Sequence, residues 1–307
     1  FQPGDELLTT NHGYNACRNA LQFVADRDRA QVIVAELPFP VHSAAEIVEA
    51  VMARVSSRTK LVLLDHVTSA SALILPLKAL VDRLNALGIE TAIDGAHALG
   101  MLPLNLTELG ATYYAGNCHK WLCAPKGSGF LYVRPDRQMV IRPLTISHGA
   151  NSTRTDRSRF HLEFDWTGSD DPTAYLCIPK AIDWMGSVVE GGWDGVMVRN
   201  HKMAIAARQL LCQTLNVEPP CPDALLGSMA ALPLPDLLRT ETPPGIYIDP
   251  LQNALFDRFN IEVPVTVLPP NSRQSNSVRL LRICAQLYNT WDDYECLVRA
   301  LNAIKKL

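Results

Sequence analysis

Short apolar runs alternate with amphipathic segments through the first half of the chain. Residues 31–36 and 60–65 have the length and apolar character of strands buried in a parallel sheet. Between them, residues 43–55 place their apolar side chains on one face, and Ser43 and Glu46 have the spacing of a capping box. The pattern therefore predicts a strand, a helix and a second strand in succession.

The same order repeats further along the chain. Pro76 opens a segment with an apolar stripe that ends at Gly88, which predicts a helix, and another apolar run follows directly as a strand. Such repetition predicts a parallel α/β sheet with right-handed crossovers. Ligands bind these sheets at the carboxyl ends of the strands. We therefore expect Asp65, Asp94 and the run leading to Lys120 to converge on one crevice.

The pattern changes in the middle of the chain. Residues 142–172 are polar and rich in Arg and Ser, and predict long loops close to a site or a partner subunit. Apolar residues in helical phase predict a helix over residues 173–189, and a second helix is predicted over residues 193–215 after a pair of glycines.

The last part of the chain mixes strands and helices. Strands are predicted near residues 261–267 and 278–284, and a final helix carries an apolar stripe. We divide the chain accordingly into a large, mainly parallel α/β domain, residues 1–189, and a smaller α+β C-terminal domain, residues 190–307.

Composition narrows the classes of partner. The chain has 307 residues and a net charge of −3, so it lacks the basic excess expected for binding nucleic acid. No apolar stretch reaches the roughly 20 residues that span a bilayer, and we expect no membrane partner. The eight cysteines include no CxxC pair and favour reduced thiols in the cytoplasm. No metal-ligand spacing appears, so we predict no metal.

Lys120 has the clearest chemical implication. It stands in the run of residues 117–121, and Asp94 ends the apolar run before it. An amine can form a Schiff base with the aldehyde of pyridoxal phosphate, and a carboxylate can keep the pyridine nitrogen of that cofactor protonated. Because both groups lie at predicted strand ends, the sequence suggests pyridoxal phosphate chemistry.

Four runs make this suggestion more specific, because their order and spacing resemble one family over nearly the whole chain. They are DHVTS at residues 65–69, DGAHALG at 94–100, HKWLCAPKGSGFL at 119–131 and RICAQLYN at 282–289. The chain resembles the class V aminotransferase-fold enzymes, and within them the isopenicillin N epimerase-like branch. The resemblance implies a pyridoxal phosphate-dependent enzyme of fold type I, with an amino acid as its small-molecule substrate, and a homodimer.

The resemblance assigns the central roles. It makes Lys120 the residue that forms the Schiff base and then moves the α-proton of the substrate, whereas Lys126 is expected to be a solvated lysine in a turn. Asp94 would pair with the pyridinium nitrogen. His97 stands where many relatives carry a glutamine that hydrogen-bonds the phenolic oxygen of the cofactor, and imidazole can supply that donor.

The resemblance also implies further contacts to the cofactor. His12 resembles the aromatic residue that stacks on the pyridine ring, and Tyr14 is the alternative. Asn117 and His119 belong to a stretch that contacts the phosphate in relatives. Ser169, in the run 167–169, resembles a residue that reaches the phosphate in the neighbouring subunit, with an ordinary polar loop as the alternative.

Four residues concern the substrate side of the site. Ser69 and His66 resemble a short motif near the cofactor oxygen and the substrate. Arg282 would bind the α-carboxylate of the substrate through two hydrogen bonds. Strand alternation places Arg282 on an apolar face, where an unpaired charge is unusual, and places Arg279 on the opposite face as the alternative.

Two departures from the family bear on function. Relatives carry a threonine-containing phosphate loop before the segment where this sequence starts, so we expect either a preceding segment or weakened phosphate binding. Cysteine desulfurases of this fold use a loop cysteine before the carboxylate-binding arginine. Residues 252–281 contain no cysteine, so persulfide transfer by that route is not expected.

Several reactions of this family share their first steps. Return of the α-proton to the other face gives epimerisation, its transfer to the cofactor gives transamination, and loss of a β-substituent gives C–S cleavage. We expect an α-carbon enzyme of the epimerase type. A cysteine or cysteine-derivative C–S lyase is the first alternative, and a cofactor-free binding protein that retains the fold is the alternative outside enzymes.

Overall fold

A six-stranded sheet organises the larger part of the molecule. The computed structural model describes residues 1–235, 238, 249–269 and 277–305. The strands of this sheet are β1 (Glu6–Thr10), β2 (Gln31–Ala35), β3 (Thr59–Asp65), β4 (Glu90–Asp94), β5 (Tyr113–Asn117) and β6 (Gly129–Val133). Their order is β2-β1-β3-β4-β5-β6, and all are parallel except β6, which runs antiparallel to β5.

Helices cover both faces of this sheet. The helices are α1 (Asn15–Asp28), α2 (Ala44–Met52), α3 (Leu77–Ala86), α4 (Leu106–Leu109), α5 (Arg159–Phe164), α6 (Thr173–Leu176), α7 (Ile178–Met185), α8 (Gly192–Leu215), α9 (Pro250–Phe259) and α10 (Trp291–Lys305). Leu7 and Leu63 pack with Leu21 of α1. Leu8 and Leu64 belong to the cluster that contains the apolar faces of α2 and α3. Neighbouring residues of a strand point to opposite faces, so each strand supplies both layers.

A second sheet follows in the C-terminal part of the chain. Its strands are β7 (Met229–Pro233), β8 (Val265–Leu268) and β9 (Val278–Cys284), in the antiparallel order β7-β9-β8. Helices α8 and α10 pack against each other, and α8 also packs on β7. A smaller apolar cluster joins the two parts, because Trp121 packs with Met229 and Leu280 of the second sheet.

The predicted parallel α/β architecture and the predicted βα units agree with this fold. The predicted helix over residues 43–55 begins where expected, with Ser43 accepting a hydrogen bond from the amide of Glu46, but it ends at Met52. Strands β1 and β7 were not predicted from the apolar pattern. The second sheet and helices α8–α10 all follow residue 190, although the division of the chain at 189 and 190 stays a prediction.

The helix predicted over residues 173–189 is wrong in its extent. The structure has two short helices there, Thr173–Leu176 and Ile178–Met185, and residues 186–189 lie outside both. Pro179 stands in the first turn of the second helix. Proline has no amide hydrogen to continue a helix but fits well in the first turn of a new one, so the apolar phase continues while the helix does not.

The structure adds three general observations. All eight cysteines are free thiols. Among the residues that the structure describes, no cluster of three or more His, Cys, Asp or Glu side chains is arranged to hold a metal ion. Within the same residues, the helices are too short or too polar to cross a membrane.

Candidate active site

A cavity of about 570 Å³ opens at the carboxyl ends of β3, β4 and β5. These three strands are neighbours and parallel, so the residues that end them or follow them meet at one edge of the sheet. The polar residues that line the cavity are Tyr14, Cys17, Asp65, Ser69, Asp94, Tyr113, His97, Asn117, His119 and Lys120. The structure thus brings together the strand ends that the sequence predicted to converge.

Lys120 enters the cavity from the turn that follows β5. Its side chain is half-buried, and its Nζ lies 3.4 Å from Nε2 of His97. Burial is the largest influence on this amine and lowers its pKa; the positive charge of Arg282 acts in the same direction, and Asp94 opposes them. A lowered pKa increases the fraction of unprotonated amine, which is the form that attacks an aldehyde.

His97 faces Lys120 as a neutral ring. Its Nδ1 lies 3.4 Å from the carbonyl oxygen of Val67, which can only accept, so Nδ1 carries the proton and Nε2 is the acceptor toward Lys120. Burial lowers the pKa of His97 to about 3, and the charges of Lys120 and Arg282 add to this effect. In this state His97 orients the lysine amine rather than donating toward it.

Two carboxyl groups lie side by side at the base of the cavity. Asp65 and Asp94 are directly paired in the register of β3 and β4. Oδ1 of Asp94 accepts from the amide of Ala96, and Oδ2 accepts from the thiol of Cys17 at 3.3 Å. Burial, followed by the charge of Asp94, raises the pKa of Asp65 to about 8. Burial and Asp94 likewise raise the pKa of Cys17 to about 12, so this thiol stays protonated.

Arg282 reaches the rim of this site from β9. Its Nη1 donates to the carbonyl oxygen of Ser69 at 2.5 Å and lies 3.3 Å from the Ser69 hydroxyl. Its Nε is buried and lacks a hydrogen-bond partner, and within the described part of the chain no carboxylate pairs with it. Arg279 differs, because its Nε and Nη2 both donate to the carboxylate of Asp249. Arg282 therefore has donors available for an anionic ligand.

Ser69, Asn117 and His119 also lie where a site was predicted. All three line the cavity. Asn117 ends β5, and Nδ1 of His119 donates to the carbonyl oxygen of Ser128 at 2.8 Å, which leaves Nε2 for another partner. Lys126, the alternative lysine, is exposed outside the lining.

The structure does not bring His66 into this cavity. His66 directly follows the last residue of β3, so it points to the opposite face from Asp65. Its Nδ1 lies 2.8 Å from the hydroxyl of Tyr114, and its ring lines a separate cavity of about 390 Å³ with residues such as Leu77 and Glu108. The expectation that His66 contacts the substrate has to be corrected on this geometry.

His12 and Ser169 also lie outside the lining. His12 is buried, Nδ1 lies 2.7 Å from the hydroxyl of Ser71, and the ring packs against Phe39. Of the two aromatic candidates for ring stacking, Tyr14 is the one that lines the cavity. Ser169 is exposed on a loop, and its predicted contact with a neighbouring subunit stays a prediction.

The sequence reasoning missed Cys17. This residue lies in the first turn of α1 and lines the cavity beside Asp94. The position of Cys17 along the chain could have indicated this. Helix α1 begins a few residues after the carboxyl end of β1, so the first turn of α1 lies at the same edge of the sheet as Asp94.

Solved structures share this architecture. A cysteine desulfurase from Thermococcus onnurineus NA1 superimposes with a TM-score of 0.77 at 18% identity, covering 100% of this chain and 74% of that one. The cystine C–S lyase C-DES gives a TM-score of 0.72 at 19% identity, covering 98% and 76%. A variant of C-DES carries glycine covalently linked to its pyridoxal phosphate cofactor. The predicted fold class, the fold type I α/β architecture of pyridoxal phosphate enzymes, is confirmed.

Sequence comparison defines the family. The aminotransferase class-V family matches residues 1–218. An isopenicillin N epimerase from Amycolatopsis lactamdurans is 34% identical, over 99% of this chain and 75% of the relative. A probable chloroplastic L-cysteine desulfhydrase from Arabidopsis thaliana is 29% identical over 99% of this chain, which spans 64% of that relative's length. The chain therefore belongs to the aminotransferase class-V family, as its motifs predicted.

Proposed function

We propose that this protein is a pyridoxal phosphate-dependent enzyme that acts at the α-carbon of an amino acid, with isopenicillin N epimerase-like chemistry. One observation carries the proposal: a half-buried amine with a lowered pKa shares its site with an arginine that lacks an acidic partner among the described residues. Lys120 and Arg282 are close enough for the charge of Arg282 to lower the pKa of Lys120. An amino acid substrate needs both an amine base and a carboxylate anchor.

Pyridoxal phosphate is the cofactor of this family, and the residues of the cavity fit it. Lys120 offers an amine for the aldehyde, and Asp94 offers a carboxylate for the ring nitrogen. Asn117 and His119 offer N–H donors at the same edge of the sheet, which suits a phosphate. The buried Nε of Arg282 has no hydrogen-bond partner among the described residues, so the site holds an available donor in addition to these groups.

The residues of the chain then have distinct tasks. When bound, the cofactor withdraws the electrons that remain on the α-carbon after it loses a proton. Arg282 holds the substrate carboxylate, and the Ser69 oxygens hold Arg282. Lys120 removes the α-proton, with His97 accepting a hydrogen bond from its amine. Asp94 keeps the ring nitrogen protonated and is itself held by Ala96.

A C–S lyase is the second candidate because relatives named as L-cysteine desulfhydrases match nearly the whole chain. Both reactions start by removal of the α-proton, and they differ in whether a β-sulfur then leaves. The epimerase is placed first because the relative of that name is 34% identical to the chain, against 29% for the plant desulfhydrase. Homodimer formation and the role of Ser169 stay predictions.

The first test is the covalent link. The purified protein is incubated with pyridoxal phosphate, reduced with borohydride and digested, and mass spectrometry locates the modified lysine. We expect the adduct on Lys120 and a visible absorbance band before reduction. Lys120→Ala should lose both, whereas the matched variant Lys126→Ala should retain both. An adduct on another lysine would refute the assignment of Lys120, and the absence of any adduct would favour a cofactor-free protein of this fold.

The second test separates the reactions. The loaded protein is incubated in D2O with L-cysteine and with other L-amino acids. Exchange of the α-proton and appearance of the D-enantiomer, without pyruvate, support the epimerase. Release of pyruvate and sulfide from L-cysteine supports the lyase instead and overturns the preferred function.

A further inference from the structure

A glutamine of the C-terminal region contacts the backbone of residues 118–124, the turn that follows β5 and carries Lys120, which we call the lysine turn. Nε2 of Gln286 donates to the carbonyl oxygen of Trp121, the residue after Lys120, at 3.4 Å. The same Nε2 lies 3.7 Å from the sulfur of Cys123. Gln286 is almost fully buried, with 4% of its surface exposed, so water cannot replace these contacts easily.

The orientation of the Gln286 amide follows from its neighbours. The backbone amide of Leu287, which can only donate, points at Oε1 of Gln286 at 2.8 Å. Nδ2 of Asn200, in α8, donates to the same oxygen at 2.7 Å. Oε1 is therefore the acceptor, and the NH2 group is directed at Trp121. Asn200 is fully buried, so this hydrogen bond from α8 fixes the position of the Gln286 amide.

The lysine turn itself is tight and closely packed. The amide of Cys123 donates to the carbonyl oxygen of Lys120, and the amide of Ala124 donates to Cys118. Gly100 lies beneath the turn, where an added Cβ would come within 2.6 Å of the Trp121 carbonyl oxygen. The carbonyl that Gln286 holds is thus part of a segment with little room to shift.

The segment that carries Gln286 also carries Arg282. Strand β9 ends at Cys284, and the amide of Ala285 bonds to the carbonyl oxygen of Ser228. One short, hydrogen-bonded piece of chain therefore places a guanidinium beside Ser69 at one end and an amide on the lysine turn at the other. Any displacement between β9 and the lysine turn would change the distance between Arg282 and Lys120.

We propose that Gln286, anchored by Asn200, is a positioning residue that sets Lys120 relative to Arg282 by holding the Trp121 carbonyl. This inference rests on the proposed function, because it assumes that Lys120 and Arg282 act on one ligand. It adds a role for the C-terminal region: that region orients the lysine turn as well as supplying the arginine.

Gln286→Glu tests the contact, because Glu keeps an oxygen for Leu287 and Asn200 but has no NH2 group for Trp121. Asn200→Ala is a neutral variant that removes the anchor and separates loss of position from the effect of a charge. Gln252→Glu is the matched control: Gln252 accepts from the amide of Val265 through Oε1, which Glu retains. Hydrogen exchange of the Cys123 amide in cofactor-free protein is the first readout.

We expect exchange at the Cys123 amide to be about three- to ten-fold faster in the Gln286 and Asn200 variants, and unchanged in the control. Capture of pyridoxal phosphate by Lys120, followed by borohydride trapping, should slow about ten-fold, and the pH profile of the visible band should shift. Normal exchange, capture and pH profile in a folded Gln286→Glu protein would overturn the proposal. If Lys120 of the wild-type protein captures no cofactor, the proposed function fails. The exchange measurement then decides on the contact alone: an unchanged rate at the Cys123 amide in the Gln286 and Asn200 variants would refute the role of Gln286.

Discussion

Replacing Asp65 by Asn should stabilise the cofactor-free protein, and the gain should grow with pH. Asp65 is 5% exposed and lies beside Asp94 in the register of the sheet. Burial, the larger cause, and the charge of Asp94 both disfavour its ionised form. Asn has almost the same shape and carries no charge, so it avoids this penalty at every pH.

The sign and size of the effect follow from the pKa of Asp65, which rises from 3.8 to about 8. Below pH 4 the folded and unfolded chains both hold the proton, so the two proteins should differ little in pH dependence. Between pH 4 and 8 the unfolded wild-type chain loses the proton while the folded chain keeps it, so wild-type stability falls. At about 1.4 kcal/mol per pKa unit, the total is on the order of 6 kcal/mol.

Urea unfolding of both proteins, after removal of cofactor with hydroxylamine, measures this difference at pH 4, 6 and 8. The free energy of unfolding of Asp65→Asn minus that of wild type should rise steadily across the series. Asp257→Asn, at an exposed position, serves as the matched control and should show no such trend. A difference that stays flat or falls with pH would show that Asp65 ionises normally in the folded protein.

Two further substitutions test the geometry of the site. Arg282→Lys should weaken binding of amino acids about ten-fold or more while the cofactor band stays, because an ammonium cannot form the paired hydrogen bonds of a guanidinium; titration of the band with substrate measures this. Arg279→Lys, whose partner is Asp249, should leave that affinity unchanged, and equal losses in both would contradict the assignment. Gly95→Ala should lower the free energy of unfolding by about 2 kcal/mol, since its Cβ would lie 2.1 Å from the Tyr114 ring; unchanged urea unfolding would refute the clash.

The parallel sheet was predictable because its signals are local. The runs that became β2 and β3 carry apolar residues on both faces, as is typical of strands in a parallel sheet. Lys120, Asp94 and Asp65 follow from the same reasoning, because the ends of parallel strands meet at one edge. Pro179 was also a local signal, since it marks the first turn of a new helix. The apolar residues keep their helical spacing across it, and a single helix was therefore predicted.

Other features depend on contacts that no run of sequence encodes. His66 and Asp65 are adjacent in sequence, yet the pleat of β3 sends them to different cavities. His12 and Tyr14 were both candidates, and the choice of Tyr14 for the lining depends on how the loop before α1 packs. The pairing of Gln286 with Trp121 joins residues 165 positions apart, and only the packing of the second sheet on the first brings them together.

The electrostatics of the cavity leave a small number of groups available for a ligand. Burial raises the pKa of Asp65 to about 8 and lowers the pKa of His97 to about 3, so between these values neither side chain is charged. Cys17 likewise stays a neutral thiol, with a pKa of about 12. The carboxyl group of Asp94 at the end of β4 and the guanidinium of Arg282 beside Ser69 then match the cationic ring nitrogen and the carboxylate that the proposed reaction must hold. Because burial disfavours the charged forms of Asp65 and His97 before any ligand arrives, the pairing of charges with the ligand depends on Asp94 and Arg282, and Arg282→Lys tests the second of these pairings.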